Sequence, residues 1–425
     1  MEGRATLMST FEMDAGDSVA RPRSFERRKI DEETLELVRR RIGIPSHHTK
    51  RSHNEECSSD SFRHYAKSYG DDNPLYCEPR HAERSVWGGL IAPPMYPITA
   101  GVPVLDTWTD EQRETMTGGD PLAGIGQYMC GERWLFLRPI RPNTDLERVE
   151  ILQAAELKES SFGGGVGALL SHQVSWRDGE DQLYALRFLD FWHADREHSA
   201  QSAKYRNIER SVYTDEDLAR IDACYESEYV RGREPRLVKD VAIGDEIGPI
   251  VKGPLCVADV MSYHIGIGWG SFGGGSAKIA YKARRRIPKF YFRNEFGFWD
   301  SAQRCHWEDS WAQHLGQPAA YDYGAMRTNW MVHLITNWMG DGAWLWKMSA
   351  SVIKFNYVGD THWMTGEIMA FDVSSSTVEI AVKGTNQRGE VTCVGSAVVI
   401  LPTDSSRPAR APQYDPADVP AAKAP

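Results

Sequence analysis

The sequence predicts an α+β protein made of two copies of one unit, each a long helix followed by four antiparallel strands. Three observations carry this. Two segments, 31–195 and 241–402, run through the same order of elements; each holds four strand-like runs punctuated by turn residues; and a polar segment of matching spacing precedes the helix stretch in each. The ends, 1–30 and 403–425, are polar or Pro/Ala-rich without periodicity and read as loose tails, and the charged stretch 196–240 reads as a linker.

The first unit opens at Asp31–Arg41 (DEETLELVRRR), where apolar residues recur at helical spacing. Its strand runs are Ile125–Pro139, Leu146–Leu157, Val166–Trp176 and Gln182–Trp192, separated by Pro142-Asn143-Thr144-Asp145, Gly163-Gly164-Gly165 and Asp178-Gly179-Glu180. In the second unit the helix is expected over Ala325–Met339 (AMRTNWMVHLITNWM), with Gly340-Asp341-Gly342 stopping it. The runs Trp344–Tyr357, His362–Asp372, Thr377–Gly384 and Val391–Leu401 follow, broken by Val358-Gly359-Asp360, Ser374-Ser375-Ser376 and Gln387-Arg388-Gly389. A helix wrapped by an antiparallel meander is the hot-dog plan, so the chain is expected to be a double hot-dog.

Composition narrows the function. A net charge of −10 on 425 residues argues against a nucleic-acid partner held by general electrostatics. Seven scattered cysteines without a C-x-x-C pair signal neither a disulfide framework nor a zinc cage, and no metal is expected. The glycine runs at 163–165 and 273–275 lack the P-loop Lys-Ser/Thr and the G-x-G-x-x-G pattern. Met1–Arg28 has no apolar core of a secretory signal, and no stretch approaches the roughly 20 apolar residues of a membrane span. The expectation is a cytoplasmic protein without a membrane partner; assembly into a homo-oligomer is compatible with the plan.

The polar segments read Asp71-Asp72-Asn73-Pro74-Leu75-Tyr76-Cys77-Glu78, then Ala82, and Ser301-Ala302-Gln303-Arg304-Cys305-His306-Trp307-Glu308, then Ala312. Tyr76 thus pairs with His306, Glu78 with Glu308 and Ala82 with Ala312. The pattern resembles the motif of MaoC-like and R-specific enoyl-CoA hydratases, in which Gly-Asp is followed by Asn-Pro, an aliphatic residue and His, then an acid, an Ala and a Gly that opens the helix. The first unit, with Tyr69–Leu75 and Gly89-Leu90-Ile91-Ala92-Pro93-Pro94, looks like the FAS1-like dehydratase N-terminal domain of that superfamily. The second, from His306 through Tyr321-Asp322-Tyr323-Gly324, looks like its partner domain, and together the resemblance spans roughly 31–402.

The resemblance implies an acyl-CoA hydratase/dehydratase that moves water across the C2–C3 bond of an enoyl or 3-hydroxyacyl thioester, with acyl-CoA as substrate and no further cofactor. That chemistry needs a base for the water, an acid for the α-carbon and donors for the enolate oxygen. The first unit keeps Asp71 and Asn73 but has Tyr76 in place of His, so it is read as degenerate. The second keeps His306, the first-choice catalytic residue, but Ser301 stands five residues upstream where the family has Asp. Asp300, then Glu308 or Asp309, are the substitutes; Gly324, with Tyr321 and Tyr323, is the expected carbonyl-binding corner.

Bland alternatives stand beside each. Asp71–Pro74 is a good turn sequence, Gly324 a plain helix start, and Trp330, Trp338, Trp344 and Trp346 core filling. The basic run Lys282, Arg284, Arg285, Arg286 and Lys289, inside an insertion at Trp269–Phe298, suits either coenzyme A phosphates or a solvated loop. At the level of function the alternatives are a non-catalytic acyl-thioester-binding subunit and an acyl-CoA thioesterase.

Overall fold

A computed structural model of the chain describes residues 29–46, 52–104, 108–160, 165–194, 208–268 and 276–419. The first 28 residues, His47 and His48, Gly163 and Gly164, 196–207 of the expected linker, Gly273–Gly275 and 420–425 lie outside the described residues.

Ten strands make one sheet whose order reads as two mirrored halves, β1-β3-β4-β5-β2 followed by β9-β12-β11-β10-β6. The first half is β1 (Val102–Pro103), β2 (Gly126–Phe136), β3 (Glu147–Ser160), β4 (Gly165–Arg177) and β5 (Leu183–Ala194). The second is β6 (Glu246–Lys252), β9 (Trp344–Val352), β10 (His362–Asp372), β11 (Thr377–Asn386) and β12 (Val391–Ile400). The halves join where β2 meets β9 antiparallel, from Gly131↔Ser351 to Leu135↔Lys347. All eight meander strands fall on the runs read from the sequence; in β11 (Thr377–Asn386) alternating burial sets the period of two against one core. A separate hairpin pairs β7 (Tyr291–Arg293) with β8 (Trp299–Ser301).

Helices α1 (Glu32–Arg39), α2 (Ser59–Ser68), α3 (Pro74–Cys77), α4 (Pro79–Glu83) and α5 (Asp110–Thr117) belong to the first unit. After it come α6 (Asp215–Ser227), α7 (Val257–Gly266), α8 (Ala277–Arg286), α9 (Asp309–His314) and α10 (Gly324–Met339). The last is the hot-dog helix: it crosses the second half of the sheet, and every residue except Gly324 and Trp338 is buried. Gly340 ends it at φ 76°, a conformation that favours glycine, with the carbonyl of Glu234 2.9 Å from where a Cβ would stand.

The first unit departs from the expected long helix. Among the described residues between the motif and β2, the helical elements are a 3-10 turn, Tyr96–Thr99, and the short α5. Pro93, Pro94 and Pro97 lack the N–H that would extend a helix and push the residues before them out of the helical region. Aromatic side chains fill the core instead: Trp134 stacks on Phe136 and Trp176, and Tyr96 meets Phe62 edge-on at 4.7 Å.

Two expectations about connectors also change. The described part of the 196–240 stretch holds α6, and Arg231 N–H donates to the carbonyl of Asn337 at the end of α10. Residues 403–419, expected to be loose, lie against both units: Ala409 N–H donates to Gly342 at 2.8 Å, Lys347 pairs with Asp418 at 2.9 Å, and Ala411 and Val419 pack on Leu135, Leu186 and Phe188. Ala409, Ala411 and Val419 gain apolar cover there, which a free tail would forgo. Among the described residues no helix is long and apolar enough to cross a membrane.

Candidate functional site

The second motif is a 3-10 turn, Ala302–His306, capped by Ser301, whose Oγ accepts the Gln303 N–H at 3.0 Å. The turn delivers His306 to the start of α10. There its Nδ1 lies 2.8 Å from the Tyr321 carbonyl, and its ring rests on Tyr323 at 3.8 Å between centroids. Because a carbonyl only accepts, Nδ1 carries the proton and Nε2 keeps its lone pair. Among the described residues nothing hydrogen-bonds Nε2. Burial pushes the imidazole down to about 4, partly opposed by the Tyr321 carbonyl and the Asp322 carboxylate, so the ring is neutral at pH 7.

Side chains from α7 and the loop before α10 hold this corner. His264, on α7, lies 2.7 Å from the Tyr323 hydroxyl and edge-on to Trp307. Asp322 is buried, takes hydrogen bonds from Asn356 at 2.8 Å and lies 3.0 Å from Arg327, while its burial pushes its carboxyl up. At the end of the corner α10 begins at Gly324 with no side chain capping its first turn. Of its leading N–H groups that of Met326 donates to the Tyr323 carbonyl at 2.8 Å, and the positive end of the 16-residue helix lies at this corner.

The carboxylates offered by the sequence go elsewhere. Asp300 sits on β8 and accepts the N–H of Ser301 at 2.7 Å. Glu308 accepts from Ser310 at 2.7 Å and lies 3.7 Å from Arg304. Among the described residues neither is hydrogen-bonded or ion-paired to His306, so the structure brings His306, Tyr321, Tyr323 and Gly324 together and leaves Asp300 and Glu308 outside the group.

The first motif is closed. Asp71, only 1% exposed, accepts from the Asn73 N–H at 2.9 Å and the Tyr69 hydroxyl at 3.1 Å, and Asn73 caps α3 through the Leu75 N–H. Against it stands His333 of α10, its Nε2 3.5 Å from Asp71 and 3.1 Å from Glu228, its Nδ1 2.8 Å from the Lys252 ammonium. Lys252 also donates to the Gly70 carbonyl at 2.9 Å, and burial pushes its ammonium down. Burial alone would raise Glu228, but His333, Lys252 and Asn337 bring it below the usual carboxylate range. Tyr76 is buried beside this group, and burial together with Asp71 holds its phenol well above its usual value.

His333, Glu228, Lys252, His264 and Asp322 were not singled out from the sequence. One signal for them was present: Asn329, His333 and Asn337 recur every four residues, a polar stripe on an otherwise apolar helix. Among the described residues no group of three or more His, Cys, Asp or Glu is placed to hold a metal ion. A cavity of about 600 Å³ opens where α2 crosses α7, lined by His53, His64, Lys67 and Ile265 among others, and no motif residue lines it.

Comparison with known proteins bears on this geometry in two ways. Residues 43–183, about a third of the chain, match the family described as the FAS1-like, dehydratase domain region. No curated protein matches the chain. Among solved structures, a MaoC-like dehydratase is 14% identical with a TM-score of 0.57, over 85% of this chain and 99% of that one. A MaoC domain protein dehydratase from Chloroflexus aurantiacus J-10-fl is 12% identical with a TM-score of 0.49, over 86% and 96%. A Mycobacterium tuberculosis protein described as having a double hotdog fold is 9% identical with a TM-score of 0.47, over 81% and 92%. The mirrored ten-stranded sheet and its buried helix share the fold of the MaoC-like dehydratase structure, a double hot-dog, and residues 43–183 match the FAS1-like dehydratase domain region.

Proposed function

We propose that this chain is a hydratase/dehydratase of acyl thioesters, acyl-CoA among them, working at the second motif. One observation carries the reading: His306 is held as a neutral imidazole with Nε2 unpartnered, beside the uncapped start of a buried helix. In the hydration direction Nε2 takes a proton from water while the water oxygen bonds to C3. The C2–C3 π electrons move toward the thioester carbonyl, whose oxygen becomes an enolate held by the N–H groups at Gly324. The imidazolium then returns its proton to C2, and the sum is the addition of one water. Asp322, behind the ring, favours the transient positive charge on His306. Dehydration is the reverse.

Replacing His306 with Ala is expected to lower kcat for enoyl-CoA hydration by about 10²–10⁴ with little change in KM, followed by loss of the conjugated thioester absorbance. The acid limb of kcat/KM should fall near pH 4, where the ring takes up a proton. Full activity in the His306→Ala variant would remove the residue from the reaction. A second reading, a non-catalytic thioester binder, is favoured by Ser301 and by the distant engagements of Asp300 and Glu308. It predicts acyl-CoA binding by the wild type without turnover, whereas release of free thiol would indicate hydrolysis of the thioester.

A further inference from the structure

The insertion that precedes the second motif carries a surface the proposed chemistry does not use. Between Ser276 and Trp299 stand seven basic residues, Lys278, Lys282, Arg284, Arg285, Arg286, Lys289 and Arg293, and one acidic residue, Glu295, a net +6 in a chain of net charge −10. Helix α8 exposes Ile279 and Tyr281 by half their surface. The β7–β8 hairpin exposes Phe296 by 78%, Phe298 by 57% and Trp299 by 46%. Large apolar side chains at such exposure are costly in water unless something covers them. The two elements form one face: the Arg284 guanidinium lies 5.6 Å from the Tyr281 ring and 5.5 Å from Trp299, with Arg293 5.6 Å from the same indole.

The hairpin tip is built to leave water. Asn294 accepts the Gly297 N–H on its carbonyl at 2.9 Å, takes the Phe296 and Phe298 N–H groups on its side chain at 3.1 and 3.3 Å, and donates its own N–H to the Phe298 carbonyl at 2.9 Å. The Phe296, Gly297 and Phe298 N–H groups are thus satisfied within the loop, which lowers the penalty for carrying this part of the tip into a poorly hydrated layer. Phe296 and Phe298 stack on each other at the tip, and Arg284 and Arg293 lie over the indole of Trp299 that follows them, the aromatic-and-basic pairing favoured at a membrane interface.

We infer that α8 and the β7–β8 hairpin are a peripheral docking surface for anionic lipid bilayers, with Phe296 and Phe298 entering the headgroup layer and the Lys and Arg residues meeting lipid phosphates. The negative remainder of the chain does not prevent this, because charges beyond about 8–10 Å are screened at physiological salt. The face adjoins the candidate site: β8 runs directly into the turn that carries His306, and Phe292 of β7 packs on Trp311 of α9 at 4.9 Å. Docking would hold the mouth of that site at the lipid surface. The inference is independent of whether His306 is catalytic.

The test is sedimentation of the full chain with phosphatidylcholine vesicles, with and without phosphatidylserine. Binding is expected only with phosphatidylserine, weakening as salt rises. The exposed pair Phe296→Ser with Phe298→Ser, and separately Arg285→Glu with Arg286→Glu, should each lower the partition coefficient about tenfold or more while leaving the thermal midpoint unchanged. Failure of the wild type to bind phosphatidylserine vesicles would overturn the inference, as would undiminished binding by the Phe296→Ser, Phe298→Ser variant. A wild-type dimer in light scattering that this variant converts to monomer would also overturn it, since the face would then be filled by a second copy.

Discussion

The two motifs share one spacing and hold complementary remnants of one pair of groups. The first keeps the carboxylate, Asp71, and has Tyr76 where an imidazole is expected; the second keeps the imidazole, His306, and has Ser301 where a carboxylate is expected. Their surroundings differ more than their sequences. Asp71 is enclosed by Tyr69, His333 and Asn73, and Lys252 reaches the same group through His333, so its lone pairs are spent on protein. His306 commits one nitrogen to a main-chain carbonyl and leaves the other open. The difference shows at the motif residues themselves: Asp71 is engaged by protein donors, whereas His306 keeps one nitrogen open among the described residues.

That contrast breaks most severely at Lys252. If the first motif is a closed structural lock, Lys252→Met removes the cation from a buried group containing Asp71 and Glu228. Unfolding stability should then fall by about 3–5 kcal/mol, the range for orphaning buried charges, measured by urea titration. Hydration by the folded fraction should change little, because none of the hydrogen bonds at His306 involves Lys252. A loss under about 1 kcal/mol would mean that water reaches the first motif and that it is not closed.

Much of this was legible in the sequence. The meander strands were, because each has one face on the core and one toward solvent, and so was α10, whose apolar run is cut by Gly340-Asp341-Gly342. The first unit's long helix was expected from the repeat alone, while Pro93, Pro94 and Pro97 between the motif and β2 decide against it. The charged lock was hidden for a different reason. His333 is joined to Lys252 across 81 residues, and Glu228 comes from a stretch that composition assigns to a linker. Spacing along the chain places side chains on a face of an element; it does not say which distant element meets that face. Asp322, adjacent in sequence to Tyr321 and Tyr323, escaped because its engagement depends on Arg327, one and a half turns along a helix.

Acid should separate the two regions in order. His264 and His362 are fully buried, and burial pushes them down to about 4 and about 3, against 6.5 for a free imidazole. The folded state therefore binds fewer protons than the unfolded chain. The stability each contributes is complete above pH 6.5 and lost as pH falls toward the folded value, on the order of 3 kcal/mol per group. Glu228, lowered from 4.5, contributes stability that persists until pH falls below that value. His264 and His362 should thus weaken the protein between pH 6.5 and 4, before Glu228, which lies beside the first motif, responds. Urea midpoints at pH 7, 6 and 5 should decline steadily, with a shallower decline in His362→Gln; a flat profile would contradict the burial of these rings as neutral groups.

The smallest expected effect tests the comparison most directly. Ser301 and Asp71 play the same local part: each accepts the N–H two residues on, Gln303 at 3.0 Å and Asn73 at 2.9 Å, and each stands five residues before the position of His306 or Tyr76. Ser301→Asp should therefore keep the cap, since Asp serves as well as Ser there, while setting a carboxylate beside the imidazole. The anion favours the protonated ring, so the acid limb of kcat/KM should move upward from near pH 4, and a second acceptor for the attacking water should raise kcat several-fold, about 3- to 10-fold. Ser301 is 3% exposed, so some stability will be lost in burying the new charge, and urea titration alongside the kinetics separates that loss from catalysis. An unchanged acid limb in a folded variant would mean that the new carboxylate does not reach His306 and that the two motifs are alike in spacing only.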